Sequence, residues 1–272
     1  MPETGMLPDG QFWQAWQPEG SPRAVLLIAH GLAEHSGRYT AVAGALTAAG
    51  YAVYAIDHDG HGNTPGKRCA VSDFNHFISG MLLLRDQAAG QHPELPVTLI
   101  GHSMGGLIAA MTALHSPSLF HTLVLSGPAV IAPEPPPRWQ EAIVRFLARW
   151  LPNLGALALD SNEISKDPSV VQAYLDDPLV YNGKIPAGLV VALFDAMIEL
   201  RERASSLSLP MLVMHGEVDK LTAPEGSALL VEQASSSDKT LKMWPGLRHE
   251  IFNEPERDAV IQTMIDWLNA RH

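Results

Sequence analysis

A chain of 272 residues with 46% hydrophobic content can bury a large core, which excludes a disordered polypeptide and a peptide-sized scaffold. Its formal net charge of −11 is spread along the sequence rather than gathered in a tail, so it repels polyanions and excludes nucleic acid as a natural partner. The single cysteine, Cys69, cannot close an intrachain disulfide and fits a reducing, cytoplasmic setting.

The opening residues MPETGMLPDG have neither the basic start nor the apolar run of a secretory signal. No stretch approaches the ~18 continuous apolar residues of a membrane span, which leaves a peripheral position at a membrane surface as the closest lipid contact. Phe12, Trp13 and Trp16 predict edge strands. Short apolar runs at Ala24–Ala29, Tyr51–Ile56, Val97–Ile100, Thr122–Leu125, Met211–Met214 and Leu241–Trp244 read as buried strands. Helical patterns at Tyr39–Ala49, His76–Gln91 and Gly106–His115 alternate with the earlier strands, and Arg257–Ala270 closes the chain. Strand alternating with helix is the α/β class, a mostly parallel sheet covered on both faces.

The rhythm breaks after Pro128. The run PEPPP at 133–137 cannot be helical, because proline lacks the backbone donor and fixes its own φ. Beyond it, Trp139, Ile143, Phe146, Leu147, Trp150 and Leu151 recur at three and four residues, with Arg145 and Arg149 on the opposite side. Residues 129–200 therefore read as an inserted, mostly helical cap on a core made of residues 1–128 and 201–272. The aromatic stripe has two readings: packing against the core, or an apolar mouth that rests on a membrane or micelle.

The decisive run is VTLIGHSMGG at 97–106, where a strand meets Gly-x-Ser-x-Gly and passes into an apolar helix. Side chains at Gly101 and Gly105 would collide with neighbouring backbone in so sharp a turn, and Ser103 occupies its apex. The helix behind it aims free N–H groups at any negative charge formed there. A serine hydroxyl needs a base oriented by a carboxylate. MLVMHGEVDKL (211–221) carries Glu217 and Asp219 past a strand end, and MWPGLRHEIF (243–252) carries His249 past the next. The chain order serine, acid, histidine suits this fold, with Asp219 as the acid and Glu217 as its competitor. An oxyanion hole needs two backbone donors, which the amides of Met104 and, after His30-Gly31, Leu32 supply.

Together with HGLAEHSGRY (30–39), DHDGHG (57–62), GHSMGG (101–106), HGEVDKL (215–221) and DKTLKMWPGLRHE (238–250), the cap segments LPNLGALALDSNEIS and YLDDPLVYNG resemble the monoacylglycerol lipase family over most of the chain. That resemblance implies an α/β-hydrolase fold and hydrolysis of monoacylglycerols to glycerol and fatty acid, without metal or organic cofactor. It assigns Ser103, Asp219 and His249 to the triad, the amides of Leu32 and Met104 to the oxyanion hole, and Glu34, Arg38 and Tyr174 to the glycerol end of the substrate. Phe252 stands where mammalian members carry histidine, and Thr222 and its neighbours include no cysteine. The competing readings are a broader carboxylesterase or lysophospholipase and a non-catalytic hydrolase-fold binder. Asp57, His58, Asp59 and His61 bunch together but lack the spacing of a metal site. The stretch HGNTPGKR lacks the glycine and the Ser/Thr of a phosphate loop.

Overall fold

The computed structural model describes residues 2–134 and 137–272. Eight strands form one sheet: β1 (Glu3–Met6), β2 (Phe12–Trp16), β3 (Val25–Ala29), β4 (Ala52–Ile56), β5 (Val97–His102), β6 (Thr122–Ser126), β9 (Met211–Gly216) and β10 (Lys239–Trp244). A separate antiparallel pair joins β7 (Gly155–Leu157) to β8 (Ile185–Pro186). The sheet order is β1-β2-β4-β3-β5-β6-β9-β10. β1 and β2 are the antiparallel edge, and every pairing from β4 to β10 is parallel. The strands bracketed in the sequence all form, each within two residues of the expected ends.

Alternating side chains feed two cores. Val25, Leu27 and Ala29 of β3 face one hydrophobic cluster, with α2 (Asn75–Gln91), α3 (Met104–His115), α6 (Ala187–Arg203) and α7 (Pro224–Gln233). Leu26 and Ile28 face the other, with α1 (Thr40–Ala48) and α8 (Arg257–Asn269). A period of two on a doubly covered sheet explains why these strands are apolar at every position. The result is an α/β-hydrolase fold.

From β3 the chain steps first to β4 on one side and then to β5 on the other. This reversal splays the loops after β3 and β5 apart at the carboxyl edge of the sheet, the place where such sheets bind ligands.

Between β6 and β9 lie α4 (Arg138–Trp150), α5 (Pro168–Asp176) and α6, together with the β7–β8 pair. Pro135 and Pro136 of the expected proline break lie outside the described residues, and α4 begins directly after Pro137. The orientation of α4 differs from simple packing of its aromatic stripe on the core. Trp139, Phe146 and Trp150 are 64%, 63% and 64% exposed, whereas Arg145 turns inward to pair with Asp195 of α6. α6 runs past residue 200, and Leu189, Val190, Met197 and Leu200 belong to the core cluster shared with α3.

Candidate active site

β5 runs straight into α3, and Ser103 sits at the junction with φ 56° and ψ −120°. A non-glycine residue in the left-handed region is strained, and the surroundings hold it there. Its N–H donates to Ser126 O (2.9 Å) and its carbonyl accepts from Ala129 N–H (3.0 Å). A Cβ on Gly105 would lie 2.0 Å from Ala29 O, and one on Gly101 would lie 2.1 Å from Gly105 O, so only glycine permits this approach of helix to sheet.

The loop after β3 lies against the same serine. A methyl on Gly31 would stand 3.4 Å from Ser103 Cβ. His30 fixes the start of the loop, its Nε2 accepting from His58 N–H (3.0 Å) and its Nδ1 lying 2.7 Å from Gly31 O. The Leu32 amide takes no part in the backbone bonds of the described residues, and Ala33 beside it has φ 68°. Met104 opens α3, so its N–H has no partner within the helix. Among the described residues, Ala33 and Ser103 are two of the three non-glycine residues with positive φ. The third, Cys69, is fully buried with its Sγ 3.6 Å from His61 Nε2, and burial pushes its thiol up to about 12.

Asp219 and His249 meet as a buried pair, Asp219 Oδ2 lying 2.7 Å from His249 Nδ1. An ionised carboxylate only accepts, so Nδ1 carries the proton and Nε2 is left with a free lone pair. Asp219 Oδ1 accepts from Leu221 N–H (2.7 Å) and Thr222 N–H (3.1 Å). Its Oδ2 also meets Thr222 Oγ1 (2.9 Å) and His215 Nε2 (3.0 Å). Burial alone would raise the Asp219 pKa, but the His249 charge and the bonds from His215 and His249 hold it far below the carboxylate range. Burial opposes charge on His249, yet the adjacent Asp219 wins and raises the imidazole above its ordinary value. Among the described residues no hydrogen bond joins the Ser103 hydroxyl to His249; such contacts often tighten only with substrate bound. His102 separates the two loops, its ring centroid 4.6 Å from that of His249, and burial lowers its pKa to about 3. Glu217 is exposed, whereas Asp219 is enclosed with the imidazole.

Glu34, Arg38 and Tyr174 come together beside this relay. Glu34 Oε1 accepts from Gly31 N–H (2.6 Å) and Tyr39 O–H (2.7 Å), while its Oε2 takes Arg38 Nη1 (2.6 Å). Arg38 also grips Glu250 through two bonds of 2.6 and 2.7 Å and lies 4.7 Å from the Tyr174 ring centroid. Burial would raise the Glu34 pKa, but the Arg38 charge brings it down to about 2. Glu34 and Arg38 line a small pocket with His102, Glu250 and Phe252.

Sequence reasoning missed His102, His215, Glu250 and Glu254. Glu254 is fully buried and accepts from Arg248 N–H (2.9 Å) and Ser165 Oγ (3.2 Å), holding the loop that carries His249. Its only signal was an acidic residue five positions beyond the histidine. The bunched Asp57 serves local bonding: Oδ1 accepts from Ser36 N–H (2.8 Å) and Oγ (2.6 Å), and Oδ2 from Asn63 N–H (2.7 Å).

Residues 20–256 match the family described as Serine aminopeptidase, S33. A monoacylglycerol lipase of Mycolicibacterium smegmatis is 42% identical over 256 residues, which cover 94% of this chain and 91% of that protein. The monoglyceride lipase of Homo sapiens is 37% identical over 268 residues, covering 97% and 88%. The crystal structure of Paleococcus ferrophilus monoacylglycerol lipase superposes with a TM-score of 0.87 at 32% identity, covering 96% of this chain and 99% of the other.

Proposed function

The chain belongs to the monoacylglycerol lipase family, and from that premise we propose that it hydrolyses monoacylglycerols to glycerol and free fatty acid through an acyl-serine at Ser103. The observation that carries this reading is the buried Asp219–His249 pair, with its proton on Nδ1, set against a strained serine between two free backbone amides.

His249 Nε2 takes the Ser103 proton as the oxygen attacks the ester carbonyl. The carbonyl oxygen becomes an oxyanion, held by the Leu32 and Met104 amides. Collapse breaks the ester C–O bond, and glycerol departs with the proton from His249. Water then gives a proton to His249 and its oxygen to the acyl carbon, which releases the fatty acid and returns the proton to Ser103. Asp219 stabilises the imidazolium in both halves. Residues 129–200 act as the cap over this edge of the sheet, and the exposed face of α4 rests on the lipid aggregate that supplies substrate. None of the described helices is long and apolar enough to cross a membrane.

Turnover of a chain-length series of monoacylglycerols beside lysophosphatidylcholine, diacylglycerol and short aryl esters tests the substrate class. Monoacylglycerols should lead by kcat/KM, and Ser103→Ala should lose at least ~1000-fold. Equal or better turnover of lysophospholipid or aryl ester would move the assignment to a broader esterase, and an active Ser103→Ala would remove the acyl-serine.

A further inference from the structure

Asp219 Oδ2 is shared by two imidazoles. His249 Nδ1 lies 2.7 Å from it and His215 Nε2 lies 3.0 Å from it. All three side chains are buried, and His215 is fully so. His215 is the penultimate residue of β9, the strand whose following loop carries Asp219, and it meets α7 on its other side. There Ser227, also fully buried, places its Oγ 2.7 Å from His215 Nδ1.

The protonation pattern follows from the partners. A carboxylate accepts only, so His215 Nε2 must be an N–H; the Nδ1 of the neutral ring then accepts from the Ser227 hydroxyl. The chain Ser227 O–H to His215 to Asp219 therefore delivers a polarised donor to the same oxygen that His249 uses. The Nε2–H also points at Thr222 O (3.3 Å), so it is shared between that carbonyl and Asp219 Oδ2 rather than given to the carboxylate alone. A buried histidine satisfied at both nitrogens is ordinarily a packing element. This one differs because its acceptor is the oxygen on which the general base depends.

We propose that His215 is a positioning residue for the reaction, donating to Asp219 Oδ2 in competition with His249 and so limiting how tightly Asp219 binds the imidazolium form. The proposal rests on the Ser103–His249–Asp219 reading above. Its direction follows from redundancy. Without His215, Asp219 is still held by the Leu221 and Thr222 amides and the Thr222 hydroxyl, so the carboxylate stays in place with more of its charge directed at His249. His249 otherwise faces Glu34, Glu250 and His102, with Arg38 neutralising part of the two glutamates; none of these groups touches His215 or Ser227.

The test compares His215→Leu, His215→Gln and Ser227→Ala with the parent enzyme, following kcat and kcat/KM on a dispersed monoacylglycerol over roughly pH 5–9. Leucine removes the donor. The acid limb of kcat/KM should move to higher pH by roughly 0.5–1 unit, with the plateau falling less than ~10-fold. Glutamine, which can present an N–H near the position of Nε2, should return the limb most of the way to the parent value. Ser227→Ala should shift it upward by a smaller amount. A limb that stays in place or moves down in His215→Leu would overturn the proposal, as would a glutamine variant that behaves like leucine. Should His215→Leu fail to fold, the order parent, Ser227→Ala decides alone: an upward shift supports the role and an unmoved limb ends it. Ser103→Ala, assayed in parallel, separates this outcome from failure of the underlying triad, because only the latter predicts that it retains turnover.

Discussion

Ser103 holds a left-handed backbone at φ 56°, a conformation that costs an L-residue about 1–2 kcal/mol and that glycine adopts freely. Ser103→Gly should therefore raise the melting temperature by about 2–4 °C over Ser103→Ala while both lose turnover, which differential scanning calorimetry would read. A glycine variant no more stable than alanine would mean that the elbow stores no strain. His249 gives a second expectation. In the proposed mechanism its neutral form is the base, and Asp219 raises its pKa from the ordinary 6.5, so activity should climb along an acid limb centred above that value. Asp219→Asn removes the charge; it should move the limb down and cut kcat by about 10⁴, as a pH series in rapid-mixing assays would measure. At this scale the serine elbow was legible, because two obligatory glycines and a strand-to-helix switch are local features. His215, Glu250 and Glu254 were not, because a carboxylate or imidazole in sequence does not declare which residue 12 to 212 positions away will satisfy it.

The loops after β3 and β10 are fastened to each other through Arg38. Its guanidinium joins Glu34, which holds the Gly31 amide, to Glu250, the neighbour of His249. The side chains are only 11%, 4% and 6% exposed, so Arg38→Ala would leave two buried carboxylates without their counter-ion and should cost about 3–5 kcal/mol in urea unfolding. The same group makes the fold acid-sensitive. Glu34 is held at about 2 against an ordinary 4.5, so its contribution is complete above the ordinary value and disappears as pH falls through the lower one. The alternation of strand and helix was readable from period alone. The facing of α4 was not: its periodicity located an apolar stripe, but Val144 packs on the main core and Arg145 meets Asp195 on a helix fifty residues later, which leaves most of that stripe outside.

The whole molecule combines a net charge of −11 with an exposed apolar helix, and these two properties pull in different directions at a lipid surface. In the proposed docking, insertion of Trp139, Phe146 and Trp150 would favour binding, while the acidic body would be repelled by anionic headgroups. Binding to zwitterionic vesicles should exceed binding to vesicles rich in phosphatidylserine, with the gap narrowing as salt is added. Replacing the three aromatics with glutamine should weaken sedimentation with vesicles by ~10-fold or more, yet spare turnover of monomeric short-chain substrate. Loss of both together would show that the helix serves the fold rather than the interface. Fold class was clear at this scale because element order alone carries it, whereas the extent of the insertion is blurred by α6, whose apolar face is part of the main core.

Cys69 lies fully enclosed with its thiol shifted to about 12. As a thiolate is the reactive species, native protein should be almost inert to alkylating reagents at neutral pH. Modification then has to wait for the β4–α2 connection to come apart, which turns the lone sulfur into a built-in reporter. The rate at which mass is added counts excursions of this catalytic edge into open states, and comparing it with and without bound product would reveal how far occupancy quietens them.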